Sequence, residues 1–115
     1  MKEYILLFRM NIIDEAAQPT AEQMDMYMQQ WMAWLNEISN KGQLADGGNH
    51  FSRQGRVLRP HKQVSDMPYQ AEKQSVAGYI LVLAKDIDEA TEMAQKCPIL
   101  NGNNTSVEIR ETDNP

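Results

Sequence analysis

Cysteine is nearly missing from this chain: among 115 residues only Cys97 carries a thiol, so no internal disulfide can staple the fold. Long apolar runs are missing too. No stretch approaches the roughly 18 residues of a membrane span, and the mean hydropathy is −0.58, so no transmembrane helix is expected. Positive charge is scarce: 11 Lys+Arg stand against 16 Asp+Glu, giving a net charge of −5 and a pI near 4.9. No run of Lys and Arg exceeds a pair, and phosphate contacts supply most nucleic-acid affinity, so direct binding to DNA or RNA is not expected. With 6 Gly and 5 Pro and no periodic spacing, collagen-like, low-complexity and solenoid readings fall away. What is left is one globular domain, long enough to bury about two-thirds of its unfolded surface in a single core.

Lys2 to Met10 is apolar on both faces except at Arg9, with Tyr4, Leu6, Phe8 and Met10 on one side and Ile5 and Leu7 on the other. That pattern marks a strand covered twice. Thr20 followed by Gln23 forms a capping box. After it, Met24, Tyr27, Met28, Trp31, Trp34, Leu35 and Ile38 recur as a helical stripe, stopped at Lys41-Gly42. Gly47-Gly48-Asn49 reads as a turn, and His50 to Ser65 as an irregular edge strand or hairpin. Gly78 to Ala84 is a second strand apolar on both faces. Asp86 with Glu89 suggests another capping box, opening a shorter stripe of Ile87, Ala90, Met93, Ala94 and Cys97 that Pro98 ends. Thr105 to Glu111 alternates, with Val107 and Ile109 inward and Glu108 and Arg110 outward; Thr112 to Pro115 reads as a frayed end.

The order strand, helix, strand, strand, helix, strand matches the ferredoxin-like βαββαβ arrangement, an α+β fold with an antiparallel four-stranded sheet. Its first and third strands lie in the centre, where this chain has its two-faced strands. Two helices cover only one face of such a sheet, so the other apolar face needs a partner. A second copy is the simplest one, giving a homodimer.

Several segments carry a family likeness: Lys2 to Arg9 (Lys-Glu-Tyr-Ile-Leu-Leu-Phe-Arg), Val64 to Lys73, Gly78-Tyr79 and Cys97-Pro98. They resemble the YCII-related family, in its branch named for an Asp-Gly-Pro-Phe (DGPF) motif. Here that motif reads Asp66-Met67-Pro68-Tyr69-Gln70-Ala71-Glu72-Lys73-Gln74, with Met in place of Gly and Gln in place of the last Glu. The resemblance implies a dimeric α/β barrel in which two ferredoxin-like sheets face each other. The wider superfamily includes isomerases, monooxygenases and dehalogenating enzymes. Some DGPF genes are similar to ones lying beside, or fused to, sigma factors, which implies a protein partner in transcription.

Asp66, Glu72 and Lys73 are the candidates for acid/base chemistry, since two carboxylates and an amine near a half-buried sheet can share protons. Their alternative role is structural, Asp66 opening a turn and Glu72 and Lys73 bracing the loop. Arg9, alone on an apolar strand, is either a carboxylate clamp for a ligand or the partner of an acid such as Asp66 or Glu72. His61, nearer Asp66 than His50 is in sequence, is the candidate base. Trp34, with Trp31, Met24, Met28 and Met32, would line an apolar pocket between helix and sheet, or simply the core. Cys97, at a helix C-terminus, should be unreactive. No metal spacing and no phosphate-binding glycine loop is present, so neither metal nor other cofactor is expected.

The functional expectation is a cytoplasmic protein, because Met-Lys-Glu-Tyr-Ile is charged where a secretory signal would be apolar. It would carry out cofactor-free lyase or isomerase chemistry on a small, partly apolar molecule. Asp66, Glu72 and His61 would be the catalytic residues, with Arg9, Lys73 and Trp34 binding substrate. The rival is a non-catalytic ligand sensor or protein-interaction module.

Overall fold

In the computed structural model, which describes residues 1–12, 14 and 18–113, the core is a four-stranded antiparallel sheet with two helices on one face. The chain runs β1 (Lys2–Met10), α1 (Ala21–Asn40), β2 (Leu44–His50), β3 (Val57–Arg59), β4 (Gln63–Ser65), β5 (Ser75–Ala84), α2 (Ile87–Gln95) and β6 (Ser106–Glu111). The sheet order is β2-β5-β1-β6, so the two strands apolar on both faces are indeed the central ones. β3 and β4 form a separate two-stranded hairpin.

The register explains the packing. Tyr4, Leu6 and Phe8 lie opposite Val82, Ile80 and Gly78, and these side chains point under the helices. Leu6, Ile80 and Val82 are fully buried. Trp31, Trp34 and Ile38 cover them from α1, with Phe8 edge-on to Trp31 at 4.8 Å between ring centroids. Ala90, Ala94 and Cys97 close the core from the α2 side.

The caps form where the sequence places them. Thr20 accepts from the Gln23 amide while the Gln23 side chain accepts from the Thr20 amide. Gly42, at φ 69°, turns the chain out of α1. Asp86 caps α2 through the Glu89 amide, but the Glu89 carboxylate accepts from the Lys85 amide rather than completing a box with Asp86. Thr112 is tied down: its amide and hydroxyl both donate to Glu3, and only 114–115 of the expected frayed end fall outside the described residues.

Other expectations need correcting. His50 to Ser65 holds the hairpin, β3–β4, but not the edge strand of the main sheet, which is Leu44–His50, and Gly47-Gly48 lies inside that strand rather than in a turn. Two bulges interrupt its register on β5, between Leu44 and Asp46 and between Asp46 and Asn49. A bulged strand loses the two-residue alternation by which strands are recognised. The Asp46 carboxylate accepts from the Gly48 amide across the second bulge, at 2.8 Å. In α1, Met24 and Met28 are exposed because the buried residues of the helix, Trp31, Trp34 and Ile38, all lie in its C-terminal half; Met32 is exposed because it falls off that buried stripe, and Ile87 of α2 is exposed as well.

Among the described residues, no helix covers the sheet's other face within the protomer. Ile5 and Leu7 of β1 and Tyr79, Leu81 and Leu83 of β5 are half-buried there, beside Glu108 and Arg110 of β6.

Candidate functional site

The residues singled out from the sequence fall in five separate places. Asp66 follows β4, is 86% exposed, and pairs with Arg56 at 3.5 Å. Both members of that pair are open to solvent, so water screens it.

Glu72 and Lys73 are the two central residues of a tight turn. Ala71 and Gln74 exchange both backbone hydrogen bonds across it, and Glu72 and Lys73 take φ of 56° and 61°. Positive φ at both central positions is the geometry of a type I′ turn. The Asn104 amide group donates to the carbonyls of Glu72 and Lys73, and Gln74 accepts from the Ser106 hydroxyl at 2.6 Å. In addition, the Ser75 hydroxyl donates to the Tyr69 carbonyl. The signature segment is thus tied through its backbone to the start of β6, while its charged side chains face solvent. His61, at φ 67°, sits with Lys62 at the tip of the β3–β4 hairpin and is exposed.

Arg9 lies on the uncovered sheet face. It forms an ion pair, and the partner is Glu108 at 2.7 Å rather than Asp66 or Glu72, with the two side chains 31% and 37% exposed. The register puts Glu108 opposite Leu7 and Ser106 opposite Arg9, so the contact is diagonal across neighbouring strands. The alternation of β6 marks Glu108 as outward-facing but holds no register from which to find the pair. Among the described residues, no hydrogen bond or ion pair joins Asp66, Glu72, His61 and Arg9 to one another.

Trp34 is the sixth. It is buried, and its indole N–H donates to the Met93 carbonyl at 3.1 Å, linking α1 to α2. It also borders an open cleft of about 450 Å³ between the C-terminal half of α1 and α2. Trp34, Ile38 and Met93 give the cleft its apolar surface, and Glu37, Lys41, Glu89, Glu92 and Lys96 its charges. A smaller hollow of about 350 Å³ shares Trp34, Glu37 and Lys96. Neither is bordered by Asp66, Glu72, His61, Arg9 or Lys73.

The charges around the cleft are unequally satisfied. Glu37 lies between Lys96 at 3.4 Å and Lys41 at 3.5 Å, and Lys96 first, then Lys41, holds its carboxyl below the usual range. Glu89 accepts from the Gln43 amide group, which also donates to the Leu83 carbonyl, so the cleft's inner edge is hydrogen-bonded to β5. Among the described residues, Glu92 has no ion pair. Gln43 and Glu89 carry no sequence signal of this contact, since their meeting depends on how α2 seats against the end of the sheet.

Two other ionisable groups are perturbed. Burial pushes the Cys97 thiol up to about 12. It also raises the Tyr27 hydroxyl, with Cys97 adding to the effect. Both changes favour the neutral form, in keeping with packing rather than nucleophilic roles. Among the described residues no group of three or more His, Cys, Asp or Glu could hold a metal, and no helix is long and apolar enough to cross a membrane.

A family model described as the YCII-related domain covers residues 7–113, nearly the whole chain. No curated protein matches.

Proposed function

The chain belongs to the YCII-related family, and on that premise we propose that it works as a homodimeric binding module. Two copies meet through their uncovered sheet faces, in the manner of a dimeric α/β barrel, and each protomer takes a small, partly apolar molecule into the cleft between α1 and α2. One observation carries the reading. Of the six side chains that sequence points to, Trp34 alone borders either cleft, and it is the buried one. The volume suits a small ligand, since binding pockets run from roughly 300 to 1,000 Å³ and combine apolar walls with a few polar groups. Placement in the DGPF branch is supported by Asp66, Pro68, Tyr69 and Glu72-Lys73.

The charges suggest the ligand's polar end. Glu37 and Glu89 are already engaged, which leaves Glu92 to meet an amine or another N–H group. Acid/base catalysis by Asp66, Glu72 and His61 is less well supported. Such groups are usually tuned by burial or close charge partners, and these three are exposed on separate turns.

The test is a thermal-shift and tryptophan-fluorescence screen with small aryl-alkyl amines and the matching carboxylic acids. The amines are expected to stabilise the protein, and Glu92→Gln to abolish the effect, while Asp66→Asn and Glu72→Gln leave it unchanged. Preference for the acids, or loss of binding in the Asp66 or Glu72 variant, would move the site away from the cleft.

A further inference from the structure

The hairpin that interrupts the fold, from Phe51 to Ser65, does not belong to the core. β3 and β4 pair over three residues each and make their contacts chiefly with each other. A lone two-stranded hairpin is marginal in water. This one nevertheless shows Leu58 at 76% and Val64 at 54% exposure, a cross-strand pair on one face, with Tyr69 at 64% just beyond it. The molecule is also spread out, 42 × 42 × 19 Å along its principal axes. The radius of gyration is 15.4 Å, against about 13 Å expected for a compact chain of this length.

Its charge runs opposite to the rest of the chain. Four of the 11 cations, Arg53, Arg56, Arg59 and Lys62, lie in residues 51–65, and none of the 16 carboxylates does. The remainder keeps seven cations against 16 acids, a net charge of −9. Arg56 has Asp66 as an exposed partner and Arg59 donates to the Ser65 hydroxyl; among the described residues, Arg53 and Lys62 have no acid. The spacing of three residues between successive cations is why no run of positive charge stands out in the sequence.

We propose that this hairpin is an arm that packs its apolar pair and its cations against the acidic body of a second copy of the chain. The inference rests on the homodimer reading above. Two features favour a second copy as the occupant. A +4 arm and a −9 body on the same chain are complementary in a two-fold dimer, where each arm meets the other's body. The base of the arm also adjoins the uncovered sheet face, since Phe51 lies 6.0 Å from Tyr79 between ring centroids.

Two experiments test it. Sedimentation equilibrium compares the full chain with Leu58→Ser/Val64→Ser and with Arg53→Glu/Lys62→Glu. All four positions are solvent-exposed in the protomer, so its folding should be unaffected, as circular dichroism would verify. Each pair is expected to raise the dimer Kd by roughly tenfold or more, the charge pair most at low salt. Limited trypsinolysis of the unmodified chain reads the arm directly. Arg53, Arg56 and Lys62 should be protected in the dimer and cut on dilution, whereas Arg59 precedes Pro60 and resists throughout. An unmodified chain that stays monomeric overturns the dimer reading and this inference with it. A dimer that forms equally well with both variants, or whose arm is cut as fast as the monomer's, overturns the arm alone and points to a different acidic partner.

Discussion

Gly48 should be the least replaceable glycine of the sheet, for a reason its neighbour Gly47 does not share. A Cβ built on Gly48 would lie 1.7 Å from the Tyr79 carbonyl oxygen and 2.6 Å from its carbon, both backbone atoms of the central strand β5. Its φ of 62° adds the left-handed penalty, about 1–2 kcal/mol for a residue with a Cβ. Relieving the overlap means pulling β2 off β5 at the bulge, so Gly48→Ala should cost about 3–4 kcal/mol in total. Gly42 separates the two effects. It has φ 69° but no atom within 4 Å of the place a methyl group would take, so Gly42→Ala should cost only the conformational part, about 1 kcal/mol. Gly47 has neither problem, and Gly47→Ala should stay within about 0.5 kcal/mol of the parent. Equilibrium urea unfolding at one fixed protein concentration would measure all three, the concentration being held because the proposed dimerisation would contribute to stability. If Gly48→Ala unfolds at the same midpoint as Gly47→Ala, the bulge does not press on Tyr79 and β2 does not pair with β5 as described.

Other perturbations have equally definite outcomes. Cys97 should resist thiol reagents at pH 8 in the folded protein and react once urea is added, because burial raises its pKa from 9.0 to about 12. The same shift sets a pH trend: below about pH 9 both folded and unfolded states keep the proton, while between 9 and 12 only the folded state does, so stability falls as pH rises through that window. Cys97→Ala should flatten part of the decline, as unfolding curves at stepped alkaline pH would reveal. Thr20→Ala removes one bond of the α1 capping box and should cost about 1 kcal/mol in urea unfolding. Arg9 and Glu108 keep about a third of their exposure in the protomer, where a double-mutant cycle on Arg9→Ala and Glu108→Ala should give a coupling of only about 0.5–1 kcal/mol; in the proposed dimer, whose seam would cover their face, the coupling should be larger. An equal coupling at concentrations that favour monomer and dimer would mean that the sheet faces do not meet over this pair.

Much of the architecture is legible in the residues because local and global signals agree. Lys2–Met10 and Gly78–Ala84 are apolar on both faces and lie in the central strands; Thr20 and Asp86 cap helices; Gly42 ends one. The signal fails where register decides. Bulges at Asp46 and Gly48 erase the alternation of β2, so the pattern points instead to the residues that follow it. The exposure of Met24 and Met28 does not show in their helical spacing, which is the same whether or not a sheet extends beneath them. The site is harder still. Asp66, Glu72 and His61 look like chemistry in a line of letters, yet each is on an exposed turn, and two of the three lie at positive φ. The cleft beside Trp34 is assembled from α1, Gln43 just after it, and α2, elements whose approach no local pattern encodes.

The proposed homodimer depends above all on the uncovered sheet face meeting its equivalent in a second copy. Light-scattering mass of the chain and of Leu7→Arg, across a concentration series, tests this directly, because Leu7 sits on that face between Tyr79 and Glu108. The expected result is twice the 13.2 kDa chain mass for the parent and a folded monomer for Leu7→Arg. A parent that remains at 13.2 kDa throughout the series, or a Leu7→Arg protein that dimerises unchanged, would contradict it.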